Sequence, residues 1–195
     1  SKYFGYFEAF YLMNNDSISY YGIDIEKLKR VCRKIAKSLL IDASKGSNIC
    51  MVDFMMVNGE IKVIETNIRP GISSFLPLMK EVYEYTSFRI LSNSKIGLNI
   101  DCTIPHDEGL AVYLYCNKTG KIRKFDTCKL EKLREELDIV DIIKSSTEGD
   151  VVSDTEVDHW GFICGTVHIR NPRREEIPSI IERIKESVDI VVEHE

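Results

Sequence analysis

An α+β fold built mostly of antiparallel strands is predicted by three features of the sequence. Apolar residues recur at three- and four-residue steps through residues 25–40, and two apolar runs close on the dipeptide Asn58-Gly59. Beyond residue 100, short strand-like runs alternate with two helical segments. The chain has 195 residues, 44% apolar and 29% charged, which is enough to bury a core in one large domain or two small ones.

The elements follow in order. The aromatic-rich run KYFGYFEAFYLM and the run ISYYG flank NNDS, so two strands around a polar turn are expected. Ile25, Leu28, Val31, Cys32, Ile35, Ala36, Leu39 and Leu40 then mark one face of an amphipathic helix over residues 24–41, with Asp24 as its N-cap. DASKGSN reads as a loop. MVDFMMVNGEIKVIETNIRPG reads as a hairpin turning at Asn58-Gly59. A second helix, with an early proline at Pro77, is expected over residues 75–92. The polar stretch NSKIGLNIDCTIPHDEG places a domain boundary near residue 100, dividing the chain into residues 1–100 and 101–195.

The second part reads as a small α/β plan. LAVYLYC and KIRKF flank an NKTG turn, a charged helix follows near residues 128–136, and DIVDIIK is a strand. EGDVV enters another strand, and GFICGTVHIR is a longer one. Asn171 and Pro172 read as a helix start with Ile177, Ile180, Ile181 and Ile184 on the apolar face, and SVDIVVE closes the fold as a strand.

The bulk numbers exclude some classes of partner. A net charge of −5 argues against nucleic acid or an anionic membrane. Arg170, Arg173 and Arg174 run directly into Glu175 and Glu176 and read as a solvated helix start. The six cysteines are scattered without a C-x-x-C pair, so they read as reduced thiols, most of them buried, of a cytoplasmic protein. His106, His159, His168 and His194 stand too far from one another to suggest ligands. The sequence shows no signal peptide and no apolar run near the ~20 residues that span a bilayer. It starts with Ser1 in strand-like sequence and so reads as a processed product or an excised piece.

The hairpin carries the chemistry. Asp53, Glu65 and Asn67 offer hard oxygen donors suited to Mg²⁺ or Mn²⁺. Glu65 and Asn67, two apart on one strand, share a face. Arg69 follows at the start of a Pro-Gly turn, where a guanidinium can hold phosphoryl or carboxylate oxygens. Asp53 joins them only in one register. A strict two-residue turn pairs Val57 with Glu60 and turns Glu65 to the face away from Asp53. A shared site therefore requires a three-residue loop or a bulge, giving Val57 opposite Ile61 and Asp53 opposite Glu65. Met55, Val57, Ile61 and Val63 would then continue the same face into the core.

VDFMMVNGEIKVIETNIRPG resembles the metal-binding signature of the ATP-grasp superfamily of ligases. The resemblance implies a fold in which the C-terminal half of an ATP-grasp domain, residues 1–100, is followed by a small mixed α/β domain, residues 101–195. It implies an ATP-dependent carboxylate–amine ligase of the L-amino-acid ligase type, working through an acyl-phosphate. It further implies two Mg²⁺ (or Mn²⁺) ions on the ATP phosphates, held by Asp53, Glu65 and Asn67 with Glu65 bridging, and Arg69 on phosphoryl or acyl oxygens. Substrates would be ATP, a small carboxylate and an amine. The lysines, adenine-binding strand and glycine-rich lid of the family lie upstream of such a hairpin. The chain is therefore expected to be inactive alone and to associate with an upstream lobe or a second copy. The alternative is a non-catalytic interaction or regulatory module that keeps the fold.

Overall fold

The computed structural model describes residues 8–39, 50–69, 75–83, 106–116, 118–153 and 163–193. The expected loop at DASKGSN, the boundary near residue 100, the last part of the helix expected to reach residue 92, and Cys102, His159 and His194 lie outside these residues. The chain divides into two compact units, Met13–Asp107 and a unit assembled from Ser1–Leu12 with Glu108–Glu195. The first expected strand thus belongs with the C-terminal sequence: β1 (Ala9–Leu12) pairs antiparallel with β4 (Gly109–Tyr115), Leu12 lying opposite Gly109.

In the unit Met13–Asp107, the run ISYYG is not a strand. Asn15–Tyr20 forms a short helix, α1, because the Asn14 carboxamide oxygen accepts from the backbone N–H groups of Asp16 and Ser17 at 3.0 and 2.9 Å. That is a helix N-cap, and the polar residues expected to make a β-turn are its first turn. Helix α2 (Ile25–Ser38) starts at Asp24, whose carboxylate accepts from the Lys27 N–H at 2.9 Å. Ile25, Leu28, Val31, Cys32, Ile35 and Ala36, with Lys27, are its half-buried residues, and Leu39 just past it is exposed. Strands β2 (Met51–Val57) and β3 (Glu60–Asn67) form the expected hairpin, and helix α3 spans Phe75–Tyr83, with Leu78 and Val82 buried.

Among the described residues, the other unit has two antiparallel sheets. Their strand orders are β1-β4-β8-β6 and β7-β5-β9, with β5 at Gly120–Asp126, β6 at Ile139–Lys144, β7 at Val151–Val152, β8 at Ile163–Arg170 and β9 at Asp189–Glu193. β4 and β5 are therefore not a hairpin, although few residues separate them in sequence: β4 pairs with β8, and β5 pairs with β7 and β9. Gly120, at φ +149°, lets the chain change sheets, and a Cβ there would strike the Glu193 backbone carbonyl. Between the sheets and helices α4 (Cys128–Leu133) and α5 (Ile177–Glu186), a core forms from residues that include Leu110, Val112, Ile169, Ile180 and Ile184. Such side chains each contribute about 1.5–3 kcal/mol when fully buried.

Asn171 does not cap a helix. It has φ +45° and exchanges bonds with Glu108: its N–H donates to the Glu108 carbonyl at 2.9 Å, and its Oδ1 accepts from the Glu108 N–H at 2.8 Å. A 3-10 turn at Arg174–Glu176 leads into α5, and the first-turn proline of that helix is Pro178. Arg174 is half-buried. It clasps the buried Glu108 carboxylate with its Nε and Nη2, at 3.1 and 2.6 Å from Oε1, while the Tyr11 hydroxyl also donates to that carboxylate.

Candidate functional site

The hairpin turns through two residues. Asn58 and Gly59 have φ of 52° and 74°, both in the left-handed region that a type I′ turn demands. Val57 accordingly lies opposite Glu60, not Ile61. From the turn, Met56 pairs with Ile61, Met55 with Lys62 and Phe54 with Val63. A bulge at Ile64 then advances β3 by one residue, so that Asp53 lies opposite Glu65, Val52 opposite Thr66 and Met51 opposite Asn67. Two-residue turn and bulge occur together, and the bulge undoes the mismatch of faces that the turn alone would leave.

Residues opposite one another in an antiparallel pair share a face. One face of the hairpin thus carries Met51, Asp53, Met55 and Val57 from β2 with Glu60, Lys62, Glu65 and Asn67 from β3. The other carries Val52, Phe54 and Met56 with Ile61, Val63 and Thr66. Two expectations change as a result. Ile61 and Val63 do not share the face of Asp53, and Met55, Val57 and Val63 do not run into the core: they are 52%, 40% and 42% exposed.

Glu65 is exposed, and Asp53 and Asn67 are half-buried. The Asn67 amide nitrogen donates to Glu65 Oε1 at 2.9 Å, which holds these two side chains together and leaves Asn67 Oδ1 as the atom to offer an ion. Opposed carboxylates such as Asp53 and Glu65 have Cβ atoms about 4.5–5.5 Å apart, an arrangement that destabilises a sheet unless a cation lies between them. Their hard oxygens, with the amide oxygen of Asn67, suit Mg²⁺ or Mn²⁺ in type and accessibility. No group of three His, Cys, Asp or Glu side chains gathers among the described residues, and this set has two carboxylates and an amide. Arg69 is exposed two residues beyond Asn67; Pro70 and Gly71 of its turn lie outside the described residues.

Sequence reading did not place Glu60 and Lys62 beside this set, because Lys62 stands an odd number of residues before Glu65. The Lys62 ammonium donates to Glu60 Oε2 at 2.5 Å. Lys27 of α2 donates to the Gly59 carbonyl at 2.9 Å, tying the helix to the turn. The Lys62 hydrogen bond, then the charges of Lys62 and Lys27, hold the Glu60 carboxyl below its ordinary value. Glu8, just before β1, pairs with Lys185 at 2.7 Å in the other unit.

No protein-family model and no curated protein matches the sequence. Solved structures do match. The L-amino acid ligase from Bacillus licheniformis superposes with a TM-score of 0.67 at 15% identity, over 88% of this chain and 42% of that one. Phosphoribosylglycinamide synthetase from Anaerococcus prevotii gives 0.67 at 18% identity, over 95% and 45%. N5-carboxyaminoimidazole ribonucleotide synthetase from Thermotoga maritima gives 0.55 at 19% identity, over 87% and 44%. Over the matched residues the chain shares the fold of these three enzymes, and it spans less than half the length of each. No helix among the described residues is long and apolar enough to cross a membrane.

Proposed function

We propose that the chain is the metal- and phosphoryl-handling portion of an ATP-dependent carboxylate–amine ligase. The observation that carries the reading is the bulge at Ile64, which sets Asp53 opposite Glu65 beside Asn67 in a fold shared with such ligases. In this reading Asp53, Glu65 and Asn67 would hold Mg²⁺ or Mn²⁺. When bound, the ions neutralise charge on the ATP phosphates. Arg69 supplies a fixed guanidinium for oxygens of the transferring phosphoryl group or the acyl-phosphate. The reaction is amide formation in two steps: a carboxylate oxygen takes the γ-phosphoryl group with loss of ADP, and an amine then displaces phosphate. The nucleotide's remaining contacts belong to an upstream lobe or a second chain, so the 195 residues do not turn over by themselves. A cytoplasmic setting suits the buried thiols of Cys116 and Cys164, the latter with its pKa pushed up to about 12 by burial and then by the neighbouring Cys116.

Melting of the chain with Mg²⁺–ATP tests the reading. A ligand bound by the native state at a hundredfold excess over its Kd stabilises by about 2.7 kcal/mol, which raises the melting temperature of a chain this long by about 5 °C or more. The rise is expected for the unaltered chain and lost in Glu65→Gln. No rise in either contradicts the proposal.

A further inference from the structure

We propose that Lys62 is a phosphate-binding residue of the hairpin, one that exchanges Glu60 for an oxygen of a polyphosphate bound together with a divalent cation. The inference rests on the metal reading above and adds a residue to it. Three observations carry it. First, Lys62 lies opposite Met55 on the face of Asp53, Glu65 and Asn67. That makes it a diagonal neighbour of Asp53, about 7–8 Å away and within reach of a long side chain. Plain alternation would set Lys62 and Glu65 on opposite faces; the Ile64 bulge sets them on one.

Second, what holds Lys62 in place is weak. Its partner is Glu60, and the two side chains are 57% and 63% exposed, the setting in which an ion pair contributes least. Third, Glu60 keeps a cation nearby when Lys62 leaves, since the charge of Lys27 also acts on it from the Gly59 carbonyl. A face with Asp53, Glu60 and Glu65 has Lys62 as its facing cation on β3, and an ammonium offers a phosphate three donors and a full charge.

The test is binding to the 195-residue chain of Mn²⁺ alone and of preformed Mn²⁺–tripolyphosphate, each read by equilibrium dialysis with total manganese measured on both sides. Lys62→Gln is expected to leave the affinity for Mn²⁺ alone within about twofold, or to tighten it, while weakening Mn²⁺–tripolyphosphate about tenfold. Lys62→Arg should restore it to within about threefold, and Glu60→Gln, which releases Lys62, should leave it equal or tighter. Lys29→Gln, which removes an exposed charge paired with Glu26, controls for net charge and should change neither. If Lys62→Gln binds Mn²⁺–tripolyphosphate as the unaltered chain does, or loses Mn²⁺ alone to the same degree, the inference is overturned and the metal reading stands. If the unaltered chain binds Mn²⁺ but not Mn²⁺–tripolyphosphate, the inference is again overturned. No Mn²⁺ binding by the unaltered chain overturns both.

Discussion

At Glu108 a carboxylate 5% exposed meets the guanidinium of Arg174, the hydroxyl of Tyr11 and, through its own backbone, the side chain of Asn171. These partners come from β1 and from the segment between β8 and α5, so one acid ties two distant parts of the sequence together. Hydrogen bonding to Glu108 raises the Arg174 pKa above its ordinary value, so the guanidinium stays charged. Glu108→Ala leaves the Tyr11 hydroxyl and the guanidinium without this acceptor and should cost about 1–3 kcal/mol in a urea melt. Glu175→Ala, at an exposed acid nearby, should be close to neutral. Equal effects of the two would show that the cluster adds nothing to stability. None of this could be read from the run Arg-Asn-Pro-Arg-Arg-Glu-Glu, because the partner of Arg174 lies 66 residues away.

Among the elements, the hairpin shows how two local features combine. The turn is legible: Asn-Gly favours left-handed backbone at both positions, and the structure has it. The bulge is not, since nothing in Ile-Glu-Thr marks Ile64 as the extra residue, which is 63% exposed. Gly59→Ala isolates the turn. A Cβ at Gly59 meets nothing within 4 Å, so the cost is backbone strain alone, about 1–2 kcal/mol, measured by chemical denaturation. Divalent-cation affinity should hardly change, because Asp53 and Glu65 lie beyond the bulge at the other end of the strands. A loss of affinity as large as that of Glu65→Gln would mean that the turn, not the bulge, sets the register.

Across the whole molecule, legibility follows the range of the interactions. Helix α2 and its face were readable because their cause is local: apolar residues one turn apart behind a capping Asp24. Helix α1 was misread because Asn and Ser favour both turns and caps, and the choice was made by Asn14, which caps α1 and also donates to the His106 carbonyl at 2.6 Å, 92 residues on. β1 joins the second unit, and β5 leaves the sheet of β4, through pairings that no single run of sequence encodes. The candidate site was legible as a set of residue types, and the bulge then decided which of them meet. The most direct measurement is therefore a Mn²⁺ titration of the chain with Asp53→Asn, Glu65→Gln and Glu60→Gln compared. A metal site at the bulge predicts that the first two each weaken binding about tenfold or more while the third leaves it near the unaltered value. Equal affinity across all three would contradict it.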